Sequence, residues 1–229
     1  MSSTPNTAGQ CGLTFFGCMS ASISHELKNA LAIINEQAGL LEDLAYLLQK
    51  GGPVSPDRLQ TLSGSILRQV KRADGIIKNM NRFAHSIDEP IKRVNLNDML
   101  CFTASLSTRL ASMKCVTLKT PSIENNLEIQ TRPFFLENLI WICFKHIFNA
   151  REQPRDLNLS LENRESHAAI CFQLEDETPT PIIFQHILEE SGPILCLLHA
   201  ELHENPENHL IYLMLPKKMD DGAMRTSIE

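Results

Sequence analysis

The fold of the chain is decided by Met19–Leu48, MSASISHELKNALAIINEQAGLLEDLAYLL. Apolar residues recur there at steps of mostly three and four. They are Phe16, Met19, Ile23, Leu27, Ala30, Ile34, Leu41, Leu44 and Leu48. This spacing predicts one long amphipathic helix whose apolar stripe packs against partners.

A histidine and a glutamate, His25 and Glu26, stand as a pair within this helix. His25 is two residues from both Ile23 and Leu27, about 200° around the helix, so its imidazole is predicted to project toward solvent. Near neutral pH an imidazole can act as a nucleophile without a metal, and a neighbouring carboxylate can orient it or hold its proton. Asn29 lies on the same helical face as Glu26 and can hydrogen-bond a water or a phosphoryl oxygen. The pair is therefore the candidate for the chemistry.

The run Ser24–Ile34, SHELKNALAII, resembles the H-box of two-component sensor histidine kinases. The pattern in that family is a phospho-accepting histidine, an acidic residue, two variable positions, threonine or asparagine, then usually proline and leucine. Ala30 stands where proline is usual. The simpler interpretation is a surface histidine that happens to precede a glutamate, and the rest of the chain favours the H-box.

The resemblance implies a role for each polar residue of this run. His25 would be the nucleophile that receives a phosphoryl group, and Glu26 would orient it and accept or hold its proton. Lys28 would help to neutralise the phosphate. Asn29 stands at the position that the family links to phosphatase activity, where it would place a hydrolytic water.

The composition excludes several classes of protein. The 229 residues are 43% hydrophobic and 21% charged, which suits one large or two small globular domains. The sequence has no apolar run of membrane-spanning length and no signal peptide pattern, so no membrane segment is expected. The net charge of −6 argues against general nucleic-acid binding. The seven cysteines form no Cys-x-x-Cys pair, which favours reduced thiols and a cytoplasmic location.

A second helix follows a turn that is rich in glycine and proline, Lys50–Asp57. Ser55 and Pro56 supply an N-cap and a first-turn proline. The stripe of this helix is Leu59, Leu62, Ile66, Val70, Ala73, Ile77, Met80 and Phe83. Two such helices predict an antiparallel hairpin, and a homodimeric four-helix bundle would cover its apolar seam. The alternative is a hairpin that packs only on the rest of its own chain.

The second helix is strongly basic. Its charged residues are Arg58, Arg68, Lys71, Arg72, Lys78 and Arg82, against Asp74. A solvated helix face is one interpretation. The other is a surface that steers an acidic partner toward His25, because receiver domains of response regulators carry an acidic phosphorylation pocket.

From Ile91 onward the sequence mixes helical and strand patterns. Helices are predicted from about Val94 to Met113 and over Phe134–Ala150, and strands over Cys115–Lys119, Leu127–Gln130, Leu157–Asn163, Ala168–Leu174 and Leu210–Leu215. The expected fold class is α+β, a long helical hairpin followed by an α/β sandwich. The expected domains are a disordered lead-in over 1–11, the hairpin over 12–88, the sandwich over 92–217 and a tail over 218–229. Only 24 residues precede His25, so no input domain of the usual kind is expected ahead of it.

In order and spacing this second half resembles the Bergerat-type ATP-binding domain of histidine kinases, in a degenerate form. That domain holds ATP and magnesium with an asparagine-rich N-box helix, an Asp-x-Gly-x-Gly segment and a second glycine-rich segment behind a mobile lid. At the N-box positions Asn149 is kept, and Lys145 replaces the other asparagine. Asp176 begins the next segment, which has lost both glycines.

Ser191–Leu195, SGPIL, resembles an eroded final glycine segment. Too few residues precede it for a lid of usual length, and Pro179 and Pro193 stiffen loops that would have to wrap phosphate. ATP binding is therefore expected to be lost, with no cofactor bound stably. Asn149 and Asp176 remain weak cofactor candidates, and a retained cap or a buried hydrogen bond is the preferred interpretation of both.

Three other histidines are candidates for a site. His199 and His203 stand four residues apart on a helix predicted over Leu195–Leu202, a spacing that can hold a metal, but no third ligand is evident and no metal site is expected. His146 lies in the N-box helix and is predicted to be partly buried and hydrogen-bonded.

Together these features predict a histidine phosphotransferase descended from a kinase. It would relay phosphoryl groups between receiver aspartates through His25, as a homodimer, with Mg²⁺ supplied by the receiver. Response regulators and an upstream hybrid histidine kinase are the expected partners, and nucleic acid and membrane are not. The alternatives are a kinase with residual ATP activity, a phosphatase that uses Glu26 and Asn29, and a pseudokinase that only binds receivers or a partner kinase.

Overall fold

The computed structural model describes residues 7–121, 127–150, 155–174 and 180–219. They form two compact units. One unit is Cys18–His85, and the other joins the residues up to Gly17 with those from Ser86 onward. A helical hairpin followed by an α/β sandwich confirms the predicted fold class. No helix in the described ranges is long and apolar enough to cross a membrane.

Two long helices form the hairpin, α1 over Ala8–Gln49 and α2 over Pro56–Ala84. Part of the predicted stripes is buried, namely Met19, Ile23, Ala30 and Leu44 in α1 and Leu62, Ala73 and Phe83 in α2. Other stripe residues are exposed, namely Phe16, Leu48, Val70, Ile77 and Met80. The hairpin of one chain therefore covers only part of its apolar surface.

The turn between the helices is set by two glycines. Gly51 adopts a left-handed φ of 78°, and the amide of Gly52 donates to the carbonyl of Leu47 at 3.0 Å. Glycine adopts this conformation without steric cost, so the pair ends α1. Pro56 then supplies the fixed φ that suits the first turn of α2, where the sequence predicted it.

The sandwich, as far as the structure describes it, has seven strands, three long helices and short 3₁₀ turns. The strands are β1 Lys92–Asn95, β2 Val116–Lys119, β3 Glu128–Thr131, β4 Arg155–Asn163, β5 His167–Gln173, β6 Glu201–Asn205 and β7 Leu210–Pro216. The helices are α3 Leu96–Met113, α4 Pro133–Asn149 and α5 Thr180–Leu198. One sheet has the order β2-β4-β5-β7-β6, with β2 parallel to β4 and the other pairs antiparallel, and β1 pairs with β3.

Helix α4 is the centre of the sandwich core. Nearly all of it is buried, because α3 and α5 both pack against it. Phe144 stacks on Phe148 with ring centroids 5.5 Å apart, and it meets Phe172 of β5 edge-on at 5.9 Å. Such aromatic pairs add about 0.5–1.5 kcal/mol each beyond the burial of their area. These rings join the helix layer to the sheet.

The start of α1 differs from the prediction. The helix begins at Ala8, so residues 8–11, which the sequence placed in a disordered lead-in, are helical. Phe15 is completely buried and Phe16 is 46% exposed, although the predicted stripe ran through Phe16. The reason is that the residues up to Gly17 pack with the sandwich, so a different side of α1 is covered there. Residues 1–6 of the lead-in and 220–229 of the tail lie outside the described residues.

Helix α5 also differs from the prediction. The segment Ser191–Leu195, interpreted as an eroded glycine loop, lies inside this helix, and Pro193 is a helical residue rather than a loop residue. Burial of Ile187 and Ile194 against the core outweighs the local signals of glycine and proline. Pro179 lies outside the described residues.

The helix predicted over Leu195–Leu202 is confirmed only as far as Leu198, where α5 ends, and is wrong beyond it. His199 has a left-handed φ of 50°, and the amide of Ala200 donates to the carbonyl of Leu195 at 2.9 Å. This is the bonding pattern that ends a helix. Strand β6 begins two residues later, at Glu201.

Replacement of Asn95 by alanine is expected to lower the free energy of unfolding of the sandwich by about 1 kcal/mol. The Asn95 side chain accepts a hydrogen bond from the amide of Asp98 at 2.9 Å and so caps α3. Urea unfolding, followed by fluorescence of the single tryptophan, Trp141, measures the loss. Asn163→Ala, at the exposed end of β4, is the matched control and is expected to change stability by less than about 0.5 kcal/mol. Equal losses in the two variants would contradict the capping role.

Candidate functional site

Helix α1 presents His25 to solvent. His25 is exposed, whereas Ile23 is buried and Leu27 is half-buried. The imidazole thus projects away from the apolar stripe, in the direction that the helical period predicted. A group carried by another protein can reach it there.

The neighbours of His25 lie within little more than one turn of α1. Lys28 and Asn29 follow it by three and four residues, so they share its face, and both are exposed. Glu26 is half-buried on an adjacent side of the helix. A cation and an amide beside an exposed imidazole can receive phosphate oxygens through charge and hydrogen bonds. The arrangement is suited to transfer of a phosphoryl group.

In the sandwich, the N-box helix α4 is tied to α5 by an ion cluster. The Lys145 ammonium donates to both carboxylate oxygens of Glu190, at 2.7 and 2.8 Å. The His146 ring contributes Nε2, which lies 2.7 Å from Oε2 of Glu190. The three side chains are 19–33% exposed. Lys145 is therefore committed to a partner within the protein.

This cluster lowers the pKa of Glu190 to about 2. The hydrogen bond to His146 is the largest cause. Burial acts in the opposite direction, and the hydrogen bond and charge of Lys145 add to the lowering. Glu190 is therefore ionised at physiological pH and holds both side chains of α4.

The outcomes for the N-box predictions differ. His146 is partly buried and hydrogen-bonded, which confirms its prediction. Asn149 is exposed at the last residue of α4, so the interpretation as a buried hydrogen bond is wrong for it. Asp176 lies outside the described residues. Glu190 was missed, since a carboxylate in an apolar segment gives no functional signal until the fold brings α5 beside α4.

The two histidines with metal-ligand spacing do not share a helix. His199 follows the last residue of α5, and His203 lies in β6, where its Nε2 is 3.0 Å from a carboxylate oxygen of Glu201. In the described part of the chain, no group of three or more histidine, cysteine, aspartate and glutamate residues is placed to hold a metal.

The basic residues of α2 are exposed, namely Arg58, Arg68, Lys71, Arg72, Lys78 and Arg82. Lys78 pairs with Asp74 at 2.8 Å. A solvated face and a docking face both require this exposure, so both interpretations of the charge run stay open.

The sequence comparisons identify the hairpin. Residues 19–88 match the family model described as the His Kinase A (phospho-acceptor) domain. This range contains His25 and most of both helices. No curated protein matches the sequence.

Several solved structures resemble the chain at low sequence identity. Histidine kinase AdeS of Acinetobacter baumannii is 11% identical with a TM-score of 0.44, and the match covers 84% of this chain and 98% of AdeS. A histidine kinase from Burkholderia phymatum STM815 is 9% identical with a TM-score of 0.45, over 89% of this chain and 98% of that one. Histidine kinase ThkA, in a crystal structure with the response regulator TrrA, is 15% identical with a TM-score of 0.39, over 90% of this chain and 63% of the other.

Replacement of Glu190 by glutamine is expected to remove a pH-dependent contribution to stability. The pKa of Glu190 is about 2 in the folded protein against an ordinary value of 4.5. Its contribution is therefore present above about pH 4.5 and is lost as the pH falls toward about 2. At about 1.4 kcal/mol for each pH unit, it amounts to at most roughly 3.5 kcal/mol. Urea unfolding from neutral pH down to about pH 3 should show Glu190→Gln less stable than wild type near neutrality and flatter below about pH 4.5.

The matched control for this experiment is Glu189→Gln. Glu189 is the preceding residue of α5, its side chain is exposed, and it accepts a hydrogen bond from Gln185 at 2.8 Å. The control should keep the wild-type pH profile. A wild-type profile for Glu190→Gln would show that the ion cluster does not stabilise the sandwich.

Proposed function

We propose that this member of the two-component sensor histidine kinase family is a histidine phosphotransferase that relays phosphoryl groups between the receiver aspartates of response regulators, without ATP. Its residues 19–88 match the phospho-acceptor domain of that family. The observation that carries the proposal is the exposed His25 within this domain, with Lys28 and Asn29 on the same face of α1.

The transfer is a substitution at phosphorus. A ring nitrogen of His25 attacks the aspartyl phosphate of a receiver, so that an N–P bond forms and the P–O bond to the aspartate breaks, which returns its carboxylate. Glu26 orients the imidazole and holds the proton of the ring. Lys28 balances charge on the phosphate, and the Mg²⁺ of the receiver does the same from the other side. Attack by the aspartate of a second receiver reverses these steps.

Asn29 gives the proposal a close variant. Its exposed amide follows His25 by one turn and would position a water against a phosphoryl group. The same site would then hydrolyse the phosphoryl group instead of passing it on.

Two observations support independence from ATP. Lys145, at an N-box position, donates to both oxygens of Glu190 at 2.7 and 2.8 Å. Residues 180–190 form the first half of α5, where the resemblance expects a mobile nucleotide lid. A helix packed on α4 has no free backbone to wrap phosphate. Asn149, exposed at the family magnesium position, is the observation that favours the second candidate function, a kinase with residual ATP activity.

The partners follow from the surfaces of the hairpin. The exposed basic side chains of α2 suit an acidic receiver pocket, and the attraction would speed encounter at low salt. Leu67, Val70 and Ile77 are exposed on the same helix at steps of three and seven, the spacing of a helix-packing seam. A second copy of the chain would cover this seam in a four-helix bundle.

Replacement of His25 by glutamine is expected to abolish phosphotransfer, because no other ring nitrogen stands in the H-box. The purified protein is incubated with a labelled phospho-receiver and, separately, with γ-labelled ATP and Mg²⁺, and acid-labile, base-stable label is counted. Wild type should gain label from the receiver and none from ATP. His85→Gln, an exposed histidine of the same hairpin, is the matched control and should be labelled like wild type.

Each other pattern of label selects another function. Label from ATP would establish a kinase and would mean that the nucleotide site survives. Label from neither source, with the cognate receiver present, would leave a protein that only binds receivers or a partner kinase. Loss of phosphate from the receiver, without label on His25, would establish the phosphatase.

Replacement of Ile77 by glutamate is expected to convert a homodimer into a monomer, because it places a charge in the exposed apolar seam of α2. Sedimentation velocity over a range of protein concentrations measures the change. Arg72→Glu puts the same side chain at an exposed, polar position of α2 and should leave the dimer intact. A wild-type protein that sediments as a monomer throughout would contradict the proposed bundle.

A further inference from the structure

We propose that the first ten residues of α1, Ala8–Gly17, form a latch on the sandwich that opens and closes in the native protein. The latch occupies the face of α4 that carries the N-box positions. The proposal concerns only the unit that contains the latch and the sandwich, and it does not depend on phosphotransfer by His25.

Aromatic contacts hold the latch in place. Phe15 is completely buried, and its ring lies 5.6 Å from that of Phe134 and 5.4 Å from that of Trp141, between ring centroids. Gly12 allows the close approach, since a Cβ atom there would come within 3.0 Å of the Phe134 ring. The thiol of Cys11 lies 3.8 Å from the carbonyl oxygen of Glu190. Residues on one side of the latch therefore all contact α4 or α5.

The latch lies on the N-box side of α4. Phe134, Trp141 and Lys145 are separated by seven and four residues, so they share one face of this helix. Phe15 covers the first two of them, and Glu190, which the latch approaches through Cys11, holds the third. The sequence thus provides its own occupant for a face that the family resemblance assigns to a ligand.

The cover that the latch provides is imperfect. Asn138 lies one turn from both Phe134 and Trp141 on the covered face and is fully buried, and its two amide atoms have no hydrogen-bond partner among the described residues. The same is true of Nε1 of Trp141 and of the hydroxyl of Ser191. Buried polar groups without partners oppose the closed state, and water would satisfy them when the latch leaves.

Opposing contributions at one contact set up an equilibrium between two states. Burial of Phe15 favours the closed latch. The unpaired amide of Asn138 and indole N–H of Trp141, on the face of α4 that Phe15 covers, favour the open one. Leu13, on the outer side of the latch, is 76% exposed, so the contacts that hold the segment lie mainly on its inner side. Opening therefore requires the loss of few contacts and leaves the rest of the sandwich folded.

The labelling rates of three cysteines report on opening of the latch in the wild-type protein. Cys11 is buried on the inner side of the latch, Cys18 is exposed seven residues later on the same helix, and Cys143 is buried in α4. After a pulse of N-ethylmaleimide, mass spectrometry of the peptides gives the rate for each. We expect Cys11 to react at least about tenfold more slowly than Cys18 and at least about tenfold faster than Cys143, because local opening reaches only the latch.

Phe15→Ala should accelerate labelling of Cys11 by about tenfold or more and leave Cys143 protected. It should also shift the emission of Trp141 to longer wavelength, because the indole gains water. Phe16→Ala is the matched control, since Phe16 is the next residue, of the same type, and faces solvent. The control should change neither measurement.

Three results would overturn the latch. In wild type, Cys11 that reacts as fast as Cys18 would show that the segment is not seated. Cys11 that stays as slow as Cys143 in Phe15→Ala would show a fixed part of the core. If Phe15→Ala also exposes Cys143 to labelling, the milder variant Phe15→Leu is tested in its place. Labelling of Cys143 in Phe15→Leu at the same rate as Cys11 would show that Phe15 is ordinary core packing. The labelling assay uses no receiver, so its failure and that of the phosphotransfer assay are distinguishable.

Discussion

Burial of α4 is the constraint on which the sandwich depends. A helix that is apolar on nearly every side must be enclosed, and α3, α5 and the sheet enclose it. Its polar residues then need partners inside the protein, and Glu190 of α5 serves Lys145 and His146 together. This ion cluster therefore holds the two helices together.

The hairpin differs from the sandwich in that apolar residues and polar residues occupy separate sides of its helices. Apolar residues of α1 and α2, some buried and some exposed, lie on one side of each helix, while His25 lies on a side that faces solvent. The proposed chemistry needs only that exposed side, and the proposed dimer needs only the apolar seam. In the proposed dimer, separation of the two would let one helix pair associate with a copy of itself and still offer an imidazole to another protein.

The sequence predicted the features that depend on the spacing of neighbouring residues. It missed those that depend on which distant segments cover a given face. The rotation of His25 away from Ile23, the proline that opens α2 and the positions of strands β5 and β7 all follow from residues close in the chain. The alternation predicted for β5 is wrong, because both faces of this central strand are covered. The burial of Phe15 instead of Phe16 does not, since period shows which residues share a face but not which face is covered. Nor does the helical state of Ser191–Leu195, where tertiary burial overrides glycine and proline. The role of Glu190 also depends on tertiary structure, because its partners Lys145 and His146 lie on a different helix.

The edges of the main sheet limit how the chain can meet other proteins. Strand β2 has only four residues, and β6 alternates exposed Glu201 and His203 with buried Leu202. Short or charged edge strands are poor templates for an incoming strand. In the described residues, these edges therefore disfavour strand addition and the edge-to-edge aggregation that follows from it. Helix faces are better suited to recognition, because their side chains can be tuned for one partner without a change in the backbone of the fold.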